Sequence, residues 1–169
     1  SKGVVLTHQN IASNVSSAIE VPGMSPGESM LSLLPLSHTY ECTLGFLIPF
    51  SQGVTVHYLD RPASPTVLVP ALAEVRPHLM LSVPLVIEKI VRKRVFAVLD
   101  GKAITRVLRK FPPVRNVLYR VAGKKLKATF GGRLYFFGIG GAPLAEDVER
   151  FLRIAGFPYA IGYGLTETA

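Results

Sequence analysis

A chain of 169 residues, 49% of them apolar, is long enough to bury a core and too apolar to remain disordered. No apolar run reaches the roughly 18 residues of a membrane-spanning helix, and a single cysteine, Cys42, excludes an internal disulfide and a cysteine-held metal. The net charge of +8 is concentrated, because residues 89–133 hold 14 Lys and Arg against one acid, Asp100, while the remainder is net acidic.

Taken in order, Ile11, Val15, Ala18 and Ile19 fit one face of a first helix, with Thr7 as its N-cap and Pro22-Gly23 as its stop. Ser29 to Pro35 reads as a short strand that delivers Ser37 to Glu41 at its carboxyl end. An apolar helix, 43–50, follows and stops at Gln52-Gly53, and Val54 to Leu59 reads as a second strand. Ser64-Pro65 opens a third helix with a hydroxyl cap and a proline in the first turn; Leu68, Ala71, Leu72 and Val75 are its buried stripe. His78 to Val83 is the third strand, and Pro84 starts a helix with Ile87, Ile90, Val91 and Val95 apolar and Lys89, Arg92 and Lys93 in water.

Residues 102–127 alternate apolar and basic positions at helical spacing, and Pro112-Pro113 divides them into two short helices. Val114, Val117, Leu118 and Val121 give the second its apolar helical spacing. Arg133 to Ile139 reads as a strand ending in Gly140-Gly141-Ala142-Pro143. The next helix carries Leu144, Val148, Phe151, Leu152 and Ala155 on one face and ends at Gly156. Its acids lie near the start and its arginines near the end, which suits the helix dipole. Phe157 to Ile161 is the last strand.

Apolar strands alternating with helices predict an α/β fold, a mostly parallel β-sheet flanked by helices in α/β/α layers. Residues 1–169 are expected to form a single α/β subdomain with a basic helical segment at 89–133. Ligands of such sheets gather beyond the carboxyl ends of the strands. Three polar or glycine-rich stretches fall there: Ser37 to Glu41, Gly140 to Ala142, and Gly162-Tyr163-Gly164-Leu165-Thr166-Glu167-Thr168. Glycines let a backbone approach a ligand closely. Tyr163 offers a flat face to a base, Thr166 and Thr168 can donate to phosphate oxygens, and Glu167 is a hard oxygen ligand of the kind Mg²⁺ takes alongside nucleotide phosphates.

In order and approximate spacing these stretches resemble the large domain of the adenylate-forming (AMP-binding) superfamily. Ser1 to Val4 and Leu6 to Asn10 resemble the tail of its phosphate loop and the helix after it. Leu34-Pro35-Leu36-Ser37-His38-Thr39-Tyr40-Glu41 is similar to the form found in long-chain fatty acyl-CoA synthetases. Gly140 to Leu144 and Gly162 to Ala169 resemble the nucleotide-contacting glycine stretch and the adenine and magnesium motif.

The resemblance implies that a carboxylate attacks the α-phosphate of ATP, giving acyl-adenylate and pyrophosphate, after which coenzyme A sulfur attacks the acyl carbon and AMP leaves. Thr166, Glu167 and His38 would serve the reaction. Lys2, Gly140, Gly141, Ala142, Gly162, Tyr163, Gly164 and Thr166 would bind nucleotide, His38 and Tyr40 would face the fatty acid, and Glu167 would hold Mg²⁺.

The resemblance also implies that the rest of the phosphate loop lies before Ser1 and the ribose aspartate, hinge and small mobile domain after Ala169. This stretch is therefore expected to be an internal piece of a longer ligase, inactive by itself and prone to self-association through uncovered faces. The basic segment is expected to be either a solvated helical face or a surface that meets anionic membrane lipid or coenzyme A phosphates, rather than a specific nucleic acid, in a cytoplasmic protein that in the second case is peripheral at the membrane. Two other readings stay open: a non-catalytic nucleotide-binding α/β module, and an adenylating enzyme for another carboxylic acid.

Overall fold

The structure, a computed structural model, describes residues 3–101 and 103–168. Its centre is a five-stranded, all-parallel sheet in the order β2-β1-β3-β4-β5, formed by β1 (Ser29–Ser32), β2 (Thr55–Tyr58), β3 (Leu79–Ser82), β4 (Phe136–Ile139) and β5 (Tyr159–Ile161). Neighbours in register include Met30 with Leu79, Leu79 with Phe136, and Phe137 with Tyr159. Each strand is shorter than the apolar run that signals it, at the carboxyl end in β1, at both ends in β2 and β3, and at the amino end in β4 and β5. Complete burial, expected of every strand, holds for central β3 alone; the edge strands β2 and β5 stay largely open.

The two-residue period of a strand feeds two cores. Leu79 and Leu81 join Met30 and Ile48 beneath α1 (His8–Ala18) and α2, whose first seven residues, Glu41–Leu47, are π-wound and whose last four, Ile48–Ser51, are α-helical. Met80 points the other way, into a larger core with Leu31, Leu72, Ile87, Phe137 and Phe151. That second face is covered by α3 (Pro65–Val75), α4, α6 (Pro112–Thr129) and α7 (Glu146–Ala155). Helix α4 runs over Pro84–Val91 and continues through a π-wound stretch, Arg92–Phe96, into Ala97–Asp100; α5 is the short helix Ala103–Leu108. Each large apolar side chain fully buried here contributes about 1.5–3 kcal/mol relative to exposure. Phe130, Phe137 and Phe157 meet edge to face at 5.4–5.6 Å.

Local signals set several boundaries. The Thr7 side chain accepts from the Asn10 N–H, and the Asn10 side chain accepts from the Thr7 N–H, a reciprocal cap of α1. Gly156 ends α7 in the left-handed region at φ 64°. Ser64 occupies the N-cap position of α3, yet its hydroxyl bonds Thr66 rather than a helix amide. Pro112-Pro113 does divide two helices, Ala103–Leu108 and Pro112–Thr129, but the second runs for 18 residues and starts on the prolines themselves, since the first turn lacks partners for its N–H groups anyway. The stripe of that helix is rotated as well. Tyr119, Gly123 and Leu126 are buried, whereas Val117 and Val121 face solvent.

Tertiary contacts complete α7. The Glu88 carboxylate accepts the Ala145 N–H at 2.8 Å, and Arg92 forms a two-pronged pair with Asp147 at 2.8 and 3.0 Å. One turn of α4 thus holds the start of α7, and with it the loop that follows β4.

Candidate active site

Strand order brings the carboxyl ends of β1, β3, β4 and β5 together, and the loops leaving β1, β4 and β5 enclose a cleft of about 490 Å³. His38, Thr39 and Tyr40 line one side, Gly140 and Gly141 the floor, and residues 162–168 the other wall. Of the residues expected to gather, His38, Tyr40, Gly140, Gly141, Gly162, Tyr163, Gly164, Thr166 and Glu167 all border this space. Ala142 does not: it is exposed, one residue beyond the left-handed Gly141 (φ 89°), where the turn carries it out of the lining. Lys2 lies outside the described residues.

The floor is built by glycine. Tyr40 lies across Gly138 and Gly140 so closely that a Cβ on Gly138 would fall 2.7 Å from the Tyr40 hydroxyl, and one on Gly140 3.1 Å from its ring. Burial, and then the neighbouring Glu41 carboxyl, hold the Tyr40 phenol well above its ordinary range, so it remains a neutral donor. His38 is exposed, and its Nδ1 accepts the Tyr40 N–H at 3.2 Å. A neutral ring with Nδ1 accepting carries its proton on Nε2, which is then a donor. The opposite wall is open: Tyr163 is 93% exposed, and Thr166–Thr168 form a short 3₁₀ turn. The Thr168 hydroxyl donates to the Leu165 carbonyl, which stabilises that turn from within.

Among the described residues no three His, Cys, Asp or Glu side chains cluster as a metal site. Among the described residues Glu167 is the single carboxylate bordering the cleft. That donor set fits Mg²⁺, which takes one or two carboxylates and fills its octahedron with water and substrate phosphate. It does not fit Zn²⁺, which is held by three or four protein ligands.

Sequence reasoning missed four contributors to the lining. Asn14 and Ala18 lie one turn apart on α1, and Thr43 and Leu44 lie one turn beyond Tyr40; helical periodicity could have placed Asn14 beside Ala18, and Thr43 and Leu44 beside Tyr40. It also treated Glu41 as a loop residue. Glu41 begins the π-wound turn, is 0% exposed, and accepts a hydrogen bond from the Ser32 hydroxyl on β1, while its Oε2 has no partner among the described residues. Burial pushes its carboxyl up to about 7, although the Ser32 bond pulls the other way. The interior glycine of β4, Gly138, is a legible signal in retrospect, since glycine inside a strand marks close approach of another group.

An all-parallel sheet with glycine-floored loops at its carboxyl ends belongs to the α/β class whose ligands bind at the strand ends. The chain belongs to the AMP-binding enzyme family, whose profile matches residues 1–169. It is 31% identical over 189 residues to the peroxisomal long chain acyl-CoA synthetase 7 of Arabidopsis thaliana, covering 99% of this chain and 25% of that protein. It is 32% identical over 183 residues to long-chain-fatty-acid–CoA ligase 3 of Saccharomyces cerevisiae, covering 99% of this chain and 26% of that protein. The chain therefore spans about a quarter of the length of these curated relatives.

Solved structures share the fold. The N-terminal domain of FACL13 from Mycobacterium tuberculosis superposes with a TM-score of 0.68 at 21% identity, over 98% of this chain and 34% of that one. The A-PCP didomain of carboxylic acid reductase from Segniliparus rugosus, determined in complex with AMP, gives 0.72 at 21% identity, over 98% of this chain and 22% of that one. Among the described residues no helix is long and apolar enough to cross a membrane.

Proposed function

We propose that this chain forms the adenine, magnesium and acyl-carboxylate wall of an ATP-dependent long-chain fatty acyl-CoA synthetase. The observation that carries the reading is the convergence of His38, Gly140-Gly141 and Tyr163 to Glu167 on one cleft at the strand ends. The names of the curated relatives favour a long-chain fatty acid as the substrate, and the AMP complex of a fold neighbour favours the nucleotide.

In this reading the uncovered Tyr163 ring stacks on adenine, and the Gly140-Gly141 backbone lies against the nucleotide. The Thr166 hydroxyl donates to an α-phosphate oxygen, and Glu167 holds Mg²⁺. Bound there, Mg²⁺ would neutralise charge on the phosphates. His38 Nε2–H orients the fatty-acid carboxylate, whose oxygen forms a bond to the α-phosphorus as the bond to pyrophosphate breaks. Fixed donors around a reacting phosphoryl group are the main protein contribution to such chemistry. The Tyr40 ring, kept neutral and pressed on the glycine floor, borders the start of the acyl pocket. Coenzyme A sulfur then displaces AMP from the acyl carbon.

The test is fatty-acid-dependent exchange of labelled pyrophosphate into ATP by the protein that carries this chain. Glu167→Gln and Tyr163→Ala are expected to lower exchange at least tenfold without moving the unfolding midpoint. Exchange untouched by both substitutions refutes the site, and faster exchange with an aryl or amino acid refutes the substrate class.

A further inference from the structure

The acid enclosed at the start of α2 has no part in the chemistry above. Glu41 does not line the cleft, and its side chain reaches back to the Ser32 hydroxyl at the carboxyl end of β1. That bond closes the base of the loop 33–40, which carries His38 and Tyr40 to the cleft. Two more bonds tie the loop to the turn. The Cys42 N–H donates to the His38 carbonyl at 2.9 Å, and the Tyr40 N–H donates to His38 Nδ1.

The carboxyl occupies space that two unusual features provide. Gly45 lies against it, where a Cβ would fall 2.6 Å from the Glu41 Cδ. The backbone is π-wound over Glu41–Leu47, a winding that is rare and recurs at functional sites. Neither feature favours stability. Glycine weakens a helix relative to alanine, and a buried carboxyl with an unpartnered oxygen is costlier than an apolar side chain of its size. Local rules broken together beside a cleft mark a position kept for function. Tyr40 is the link to that function, because its ring already lies on the glycine floor with no room for a Cβ on Gly138. A shift of the turn would lift the ring.

We propose that Glu41 is a positioning residue of the acyl subsite: by fastening the π-wound turn to Ser32 it holds Tyr40 on the glycine floor and His38 at the cleft. The inference rests on the proposed function for its substrate, and on geometry alone for the clasp. The clasp needs the neutral acid. Helix α1 and strands β1, β2 and β3 pack around α2. Their titratable side chains are His8, His57 and Tyr58, all exposed, and they hold no Lys or Arg. The loop and the turn add His38, Tyr40 and Cys42. Burial, and then the Glu41 charge, push the Tyr40 and Tyr58 phenols up. An ionised Glu41 therefore meets no Lys or Arg on these elements and gains most from water, which opens the turn.

The test uses the protein that carries this chain and fatty-acid-dependent pyrophosphate exchange, followed from near pH 6 to near pH 8. With the Glu41 carboxyl at about 7, the parent's KM for fatty acid is expected to rise about tenfold over this range, while its KM for ATP holds. Glu41→Gln keeps the acceptor for Ser32 and cannot ionise; its fatty-acid KM is expected to match the parent near pH 6 and to stay flat. Ser32→Ala should raise the fatty-acid KM at both ends of the range. His38 is present in all three proteins, so the difference between their profiles belongs to the clasp. Deuterium uptake of amides 41–47, corrected for its intrinsic pH dependence, reads the clasp without substrate. Protection is expected to fall through about pH 7 in the parent and not in Glu41→Gln. Identical KM and uptake profiles in parent and Glu41→Gln, or a Ser32→Ala protein that behaves as the parent, would overturn the inference. Glu167→Gln separates it from the reading on which it rests. Loss of pyrophosphate exchange there, with Glu41 and Ser32 variants like the parent, sinks the positioning role and leaves the site standing. No effect of Glu167→Gln sinks the site, and deuterium uptake still decides the clasp.

Discussion

Replacing Glu41 by glutamine isolates one buried ionisation. The parent carboxyl is fully enclosed, accepts one bond from Ser32 and leaves Oε2 without a partner among the described residues. Its pKa rises from 4.5 to about 7 because burial penalises the charged form more than the serine bond rewards it. The sign follows from proton binding. Between these two values the folded chain holds a proton that the unfolded chain has released, so stability falls as pH rises from about 4.5 through about 7. The shift corresponds to about 3 kcal/mol of stability lost above pH 7. Glutamine keeps the acceptor for Ser32, places an amide where the carboxylic acid hydroxyl stood, and cannot ionise. Urea denaturation of parent and Glu41→Gln across this range is therefore expected to show the variant more stable by about 3 kcal/mol near pH 8 and nearly equal near pH 4. Other titrating groups act alike in both proteins and cancel in the difference. Two curves that run parallel over the whole range would refute the account of a neutral, buried Glu41.

Three other substitutions probe separate contacts. Gly123→Ala would set a Cβ 2.6 Å from the Ala155 Cβ and 2.8 Å from its carbonyl oxygen, so α6 and α7 must separate; a loss of about 1–3 kcal/mol in denaturant unfolding is expected. Gly138→Ala drives a methyl group into the Tyr40 hydroxyl and Leu81, and a double-mutant cycle with Tyr40→Ala should recover part of the loss, with coupling of at least about 0.5 kcal/mol; no coupling would remove Tyr40 from the glycine floor. Thr7→Ala removes the acceptor for the Asn10 N–H and should weaken α1 by about 1 kcal/mol. Because α1 has no buried residues, the effect should appear as faster amide exchange in that helix, with sheet amides unchanged.

What the sequence determined by itself was mostly local in cause. Thr7, Pro84 and Gly156 mark helix ends through caps and fixed backbone angles, which depend on neighbours a few residues away. Unalternated apolar runs between helices were enough for a parallel α/β sheet, and turn chemistry at their ends was enough to single out Ser37 to Glu41, Gly140-Gly141 and Gly162 to Thr168. Those stretches meet because β1, β3, β4 and β5 are neighbours in the sheet, and that order is a matter of long-range pairing. Ala142 shows the limit: one left-handed step at Gly141 turns it away from a cleft that its motif appeared to share.

Periodicity shows that a helix has an apolar stripe, but not what covers it. Val117 and Val121 fit the pattern of buried residues yet face water, because α6 is oriented by Tyr119, Gly123 and Leu126 against α7 and the core. Glu41 fails in the opposite direction. A carboxylate reads as solvated wherever it stands, and only the packing of the π-wound turn against Ser32, with Gly45 leaving no room for a Cβ beside the carboxyl, encloses it. Burial is a property of the assembled layers. It is there that the tertiary structure decided which apolar residues stayed outside and which acid went in.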